Sequence, residues 1–179
     1  LMSFGGSLAT LPLGAAVFYG LVMRRDEVDH RAQCASSAIF WSVLLFGAGG
    51  VIGFMIRRSD VTIPAHYHGC IVGVTLALMG VGYDLLPRLG YPLVNFSLAR
   101  WQLRIYAVGQ FLHILGLVWS GGYGVERKVA GAEQLLDSVG RVAGMGLMGF
   151  GGLASAVGGF LFIYVAVRAL RERPGRKTV

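Results

Sequence analysis

The sequence predicts an all-α integral membrane protein with five transmembrane helices that form part of a helical bundle. Three observations predict this class: 55% of the 179 residues are hydrophobic, only 14% are charged, and the mean hydropathy is +0.63. Soluble domains usually carry about a quarter charged residues, so this balance excludes an ordinary soluble protein. Five uncharged runs are each long enough to cross a bilayer core of about 30 Å as a helix. The single membrane domain 1–179 has predicted spans at 7–23, 33–56, 63–86, 101–120 and 142–169.

The first two spans differ in character. The span 7–23 lacks a basic N-terminal region and holds Pro12 near its middle, so we interpret it as a helix rather than a signal peptide. The loop 24–31 mixes acidic and basic residues and indicates a solvated turn. In lipid, small residues let helices approach closely or leave room for a flat ligand. The second span is crowded with such residues, namely Gly47, Gly49, Gly50 and Gly53.

The remaining spans are bounded by turn residues and charge. The third span ends near Pro87, where a Pro- and Gly-containing connector begins. The fourth span leads into the longest external loop, 120–140, which opens with glycines and carries several charges. The fifth span is again rich in glycine, and the basic tail after Leu170 follows it.

The distribution of Lys and Arg predicts the orientation in the membrane. Basic residues favour the cytoplasmic side, and this also explains the net charge of +7 without invoking nucleic acid. We expect a bacterial inner membrane, with the N-terminus outside and the C-terminus cytoplasmic. The outer side holds Arg57, Arg58, Arg127, Lys128 and Arg141. The inner side holds Arg24, Arg25, Arg31, Arg88, Arg100, Arg104, Arg168, Arg171, Arg173, Arg176 and Lys177.

The strongest candidate for a functional site is the segment Ala65-His66-Tyr67-His68 at the outer end of the third span. Imidazole is a common ligand of iron, and a ligating side chain at membrane depth indicates function. Two positions along an α-helix turn by about 200°, so His66 and His68 point to opposite faces and can hold two different metals. The His66 face continues through Gly69, Cys70, Gly73, Ala77 and Gly80, which predicts a groove of small residues where a porphyrin could lie flat.

The other histidines and the cysteines have weaker signals. By helical rise, His113 should lie several ångströms deeper than His68, so we interpret it as a packed side chain and not as a second ligand. His30 lies in the charged loop, where we expect it to be solvated. Cys34 and Cys70 are far apart in sequence and are predicted to be small buried residues.

These residues resemble a known family. Ala65-His66-Tyr67-His68 resembles the A-H-x-H motif of helix ten in haem–copper oxidase catalytic subunits. The segment Phe46-Gly47-Ala48-Gly49-Gly50-Val51-Ile52-Gly53 is similar to their F-x-x-G-G-x-x-G motif in helix nine, and Leu11–Phe18 is similar to the helix-eight pattern. The resemblance implies that the chain corresponds to helices eight to twelve, the C-terminal part of subunit I.

The resemblance also implies the cofactors and partners. His66 would ligate a high-spin haem iron and His68 a low-spin haem iron, while Arg127 and Lys128 would bind haem propionates. The protein would be a respiratory oxidoreductase that passes electrons from cytochrome c or quinol to dioxygen and translocates protons. A companion chain with the earlier helices would supply copper, and other oxidase subunits and lipid would surround the pair.

The sequence departs from the family at several places, among them Leu13 in place of a polar residue and the Arg127-Lys128 pair in place of Arg-Arg. Ala16 stands where many of these oxidases have a proton-channel Lys, so that route is not implied here. Arg58 and Ser59 stand near a family His-Asp metal pair, so no further metal site is implied. Three alternatives therefore stay open: a nitric oxide reductase of the same superfamily, a non-catalytic dihaem cytochrome, and a proton-conducting transporter subunit.

Overall fold

The computed structural model describes residues 11–12, 14–17, 19–20, 30–92, 95–129 and 136–172, with the side chains of residues 30–32 left out. Of these described residues, 84% are helical. Within the described ranges there is no β-strand, and only an isolated bridge joins Asp60 to Glu126. The prediction of an all-α protein is therefore confirmed.

After position 29, the described helical residues form four long helices. They are α1 (His30–Met55), α2 (Thr62–Arg88), α3 (Phe96–Gly122) and α4 (Val139–Arg171). Each is long and apolar enough to cross a membrane, which makes the chain a multi-pass membrane protein. The first predicted span, 7–23, lies largely outside the described residues, although the positions described within it are helical.

The helix boundaries follow from local capping. The Asn95 side chain accepts a hydrogen bond from the Leu98 backbone N–H at 2.9 Å, so α3 begins at Phe96 and not at the predicted position 101. The Asp60 carboxylate accepts the Thr62 N–H at 2.9 Å and so satisfies one free donor at the start of α2. At the other end, α2 stops at Arg88, directly after Pro87, as predicted.

The helices pack as two close pairs, α1 with α2 and α3 with α4. A Cβ on Gly69 would lie 2.5 Å from the Cα of Gly49, so the backbones of α1 and α2 touch there. In the second pair, a Cβ on Gly109 would lie 2.6 Å from the backbone nitrogen of Ser155. Small residues thus allow the close approach that membrane helices need in the absence of a hydrophobic driving force.

Two loops on the same side of the membrane join the pairs. The Val61 N–H donates to the Val125 carbonyl at 3.2 Å, next to the Asp60–Glu126 bridge. Further into the bundle, the Tyr83 hydroxyl donates to Oε1 of the buried Gln102 at 2.8 Å, which connects α2 with α3. The start of α2 and the loop after α3 therefore lie together, and this end of the bundle carries the candidate site.

Candidate functional site

The His66 ring is fixed between α2 and α1. Its Nδ1 lies 2.7 Å from the carbonyl oxygen of Gly49, so Nδ1 donates the hydrogen bond because a carbonyl can only accept. Gly53 makes this approach possible, since a Cβ there would lie 2.8 Å from Nδ1. Nε2 of the same ring makes no hydrogen bond to any residue that the structure describes. A neutral His66 therefore presents Nε2 as a lone-pair ligand.

The prediction that a porphyrin lies in the groove of small residues is wrong. Gly69, Gly73 and Gly80 are buried, and a Cβ at each would meet atoms of α1. The preceding helix fills this face, because its own glycine at position 49 fits against Gly69. A porphyrin therefore cannot lie on the stripe, and a haem iron held by His66 would have to approach its free Nε2.

His68 points away from α1, towards α3. The contacts of the two histidines with different helices confirm the prediction that they occupy opposite faces. His68 is exposed on the outside of the four helices, and its ring makes no hydrogen bond within the described part of the chain. Imidazole at membrane depth is costly without a polar partner. His68 is therefore available to a ligand or to another part of the protein.

His113 lies against His68 in the structure. Its ring centroid lies 4.6 Å from that of His68, with the planes at 72°, so the two rings are in contact. Gly121 of α3 packs against Thr62 of α2, and from that level His113 is eight residues along its helix while His68 is six along its own. The offset is about 3 Å, which the imidazole side chains span. His113 thus lies deeper than His68, as the helical rise predicted, but the docking of α3 on α2 still brings the two rings into contact.

His113 is also anchored to a backbone carbonyl. Its Nδ1 lies 2.9 Å from the Met148 oxygen on α4, and a Cβ on Gly152 would lie 3.3 Å from the same nitrogen. No single local pattern in the sequence marks this residue. The glycines around position 152 were visible, but only the fold shows that one of them faces a histidine.

The basic pair lies at the same end of the bundle. Nε of Arg127 donates to the Ser59 hydroxyl at 3.0 Å, which brings the loop after α3 to the loop before α2. Lys128 is exposed and has a left-handed backbone with φ of 67°. Both cations therefore lie on the side of the membrane where α2 begins.

The remaining candidates have simpler roles. Cys34 is buried, as predicted, and Cys70 is half-buried with its sulfur 3.8 Å from Nδ1 of His66. His30 is the first residue of α1, and its side chain lies outside the described residues. Arg58 and Ser59 are exposed in the loop before α2, and Ala16 is exposed on a helical segment.

His66 would suit a haem iron as a ligand, but the described residues do not supply a whole haem pocket. A metal-ligating histidine usually donates its second ring N–H to a carbonyl or carboxylate, and His66 does this with Gly49. Among the described residues, no cluster of three or more His, Cys, Asp or Glu side chains is placed to hold a metal ion. A site built on one imidazole per iron needs its other ligands from elsewhere in the protein.

The chain is similar to known proteins whose function is not characterized. The chain is 38% identical over 166 residues to RP382, an uncharacterized protein of Rickettsia prowazekii, and the match covers 83% of this chain. An uncharacterized protein of Aquifex aeolicus is 34% identical over 55 residues, which cover 31% of this chain and 14% of the relative. No family model matches the chain, and no solved structure is significantly similar to it.

The matched region is only part of the Rickettsia protein. The chain spans only 31% of the length of RP382. The protein from Rickettsia is thus much longer than the segment that matches this chain.

Proposed function

We propose that the chain is the C-terminal part of the catalytic subunit of a respiratory haem–copper terminal oxidase. The observation that carries this proposal is the pair His66 and His68 on opposite faces of α2. His66 keeps Nε2 free because Nδ1 is bound to Gly49, and His68 is exposed with no hydrogen bond in the described ranges. One rigid helix thus offers two imidazoles to two separate irons.

The resemblance to the oxidase family supports the same assignment. The F-x-x-G-G-x-x-G-like segment lies in α1, and Gly49 within it accepts the hydrogen bond from His66. Two motifs that are separate in the sequence therefore meet at the proposed ligand. His66 is the ligand of the high-spin haem in this proposal, and His68 is a ligand of the low-spin haem.

Haem supplies the redox chemistry when it is bound, and the protein supplies orientation and charge. Gly49 fixes the tautomer of His66 and raises its basicity as a ligand. Arg127 and Lys128 provide positive charge on the same side of the membrane, where they neutralise the propionates.

The other parts of the enzyme come from outside this segment. A companion chain, or a preceding part of a longer protein, carries the copper site and the second ligand of the low-spin haem in this proposal. The relative from Rickettsia is longer than the matched region, and in this proposal a longer form of the chain would carry that part. The proposed electron donor is cytochrome c or quinol, and the proposed location is a bacterial inner membrane with the start of α2 outside.

The test uses membranes that contain the intact protein with any companion chain. We expect a pyridine haemochrome assay to detect haem in the unaltered protein. His66→Ala should remove the carbon monoxide-binding high-spin signal and spare the low-spin spectrum, whereas His68→Ala should remove the low-spin spectrum. Ile71→Ala is the matched control, because Ile71 is 63% exposed on the same helix. Absence of haem, or unchanged spectra in both His variants, refutes the proposal.

The alternatives are separate outcomes of the same preparation. Iron in place of copper, together with turnover of nitric oxide, identifies a nitric oxide reductase. Haem without a carbon monoxide-binding species identifies a dihaem cytochrome. Proton conduction without haem identifies a transporter subunit. Each of these outcomes overturns the oxidase assignment.

A further inference from the structure

The rings of His66 and His113 are anchored by the same kind of hydrogen bond, which an ordinary packed histidine does not need. Each donates from Nδ1 to a helix carbonyl, that of Gly49 at 2.7 Å and that of Met148 at 2.9 Å. In an α-helix that carbonyl already accepts from the residue four positions later, and here that residue is glycine in both cases, Gly53 and Gly152. The missing side chain opens the carbonyl to the ring.

This anchoring fixes what the other nitrogen of His113 can do. A neutral imidazole has one N–H and one lone pair, and Nδ1 of His113 uses the N–H on Met148. Nε2 is then an acceptor, and none of the described residues donates to it. The group nearest to this ring from the neighbouring helix is His68, with the centroids 4.6 Å apart.

The contact geometry excludes one role for the pair. Two imidazoles on opposite sides of one iron have the metal between them, with metal–nitrogen bonds of about 2 Å on each side. Rings that touch edge to face, as His68 and His113 do at 72°, leave no room for an iron between them. In this arrangement His113 does not face an iron held by His68, so it could act on such an iron only through His68.

We propose that His113 is a positioning residue for His68. Its Nε2 accepts a hydrogen bond from the ring N–H of His68 that does not face the iron, once His68 is turned to its cofactor. This inference rests on the proposed function, because it assumes that His68 ligates a haem. Ligating histidines almost always donate their second N–H, and within the described residues His113 offers His68 a ready acceptor.

The test compares two replacements of His113 in the intact protein. His113→Leu removes the acceptor, whereas His113→Gln keeps an N–H for Met148 and an oxygen for His68. We expect His113→Leu to weaken low-spin haem binding about 10- to 100-fold, as loss of such a partner does elsewhere. The midpoint potential of any retained low-spin haem should rise, because His68 becomes a less basic ligand. The high-spin haem should be unchanged, and His113→Gln should recover most of both losses.

A smaller change, Gly152→Ala, provides a second test in case His113→Leu does not fold. Gly152→Ala places a Cβ 3.3 Å from Nδ1 of His113 and should shift the low-spin potential upwards by less than His113→Leu does. Gly149→Ala on the same helix is its control, because a Cβ there meets no described atom within 4 Å. We expect no spectral change in this control.

The outcomes separate this inference from the proposed function. If the unaltered protein lacks haem, or His68→Ala leaves the low-spin spectrum intact, the proposed function fails. If haem is present and depends on His68, but potential and electron paramagnetic resonance signals are the same in His113→Leu as in the unaltered protein, only the positioning role fails. Equal losses in the Leu and Gln variants, with equal falls in unfolding temperature, indicate packing alone and also overturn it.

Discussion

The contact between Gly53 and His66 can be tested by adding one methyl group. In Gly53→Ala the new Cβ would lie 2.8 Å from Nδ1 and 3.0 Å from Cε1 of His66, closer than side-chain atoms normally approach. The ring has to move, and it then loses the 2.7 Å hydrogen bond to Gly49. Gly50→Ala adds the same atoms to the same helix at a position with no described neighbour within 4 Å. The two variants differ only in what the methyl group meets.

The expected difference in stability follows from three contributions. Replacing Gly by Ala inside a helix stabilises it by about 0.8–1 kcal/mol, and this gain is common to both variants. At Gly53 the loss of the hydrogen bond costs about 1 kcal/mol. Overpacking against the ring costs about 1–3 kcal/mol more. Gly53→Ala should therefore be less stable than Gly50→Ala by about 2–4 kcal/mol, the sum of the last two contributions.

The assay is thermal unfolding of both variants in the same detergent. For a protein of this size each kcal/mol corresponds to about 2–4 °C, so the midpoint of Gly53→Ala should lie about 4–16 °C below that of Gly50→Ala. Equal midpoints would show that His66 does not occupy the position against Gly49 and Gly53. The comparison needs no haem, so it tests the geometry of the site independently of its function.

Three further changes test the rest of the fold. Gly116→Ala places a Cβ in overlap with the Met148 backbone and should lower the unfolding temperature, while Gly149→Ala should not; equal values would refute the close packing of α3 on α4. Gln102→Leu leaves the buried Tyr83 hydroxyl without its acceptor and should cost about 1–3 kcal/mol in denaturant unfolding, against no change if that bond is absent. Asp60→Ala removes the carboxylate cap of α2 and should cost about 0.5–2 kcal/mol, whereas Asp60→Asn should retain most of it.

Hydropathy was sufficient to predict the four described helices, because length and absence of charge are local properties of a chain. The start of α3 was missed because Arg100 and Arg104 interrupt the uncharged run. The helix continues past them to Asn95, whose side chain caps it. The pairing of the helices could not be predicted, since it depends on which glycines meet, as Gly69 meets Gly49.

Features of the site that depend on a single helix could be predicted from the sequence. Features that depend on the packing of two helices could not. The period of the α-helix gave the opposite directions of His66 and His68, and their contacts with different helices confirm them. The glycine stripe beside His66 has the same sequence signature whether a porphyrin or a helix covers it. The contact of His113 with His68 could not be predicted, because it depends on how α3 docks against α2 and this is not a property of either segment alone.

The glycines of this chain serve two physical purposes, which can be separated by what an added Cβ would meet. At Gly69 and Gly116 it would meet the backbone of a neighbouring helix, so these residues allow helices to pack. At Gly53 and Gly152 it would meet an imidazole ring instead, and in both cases the ring is bound to the carbonyl four residues earlier. Packing alone requires no histidine at such a place. The repetition of the arrangement on two helices therefore argues that the orientation of each ring, and with it the availability of its Nε2, is what these two glycines preserve.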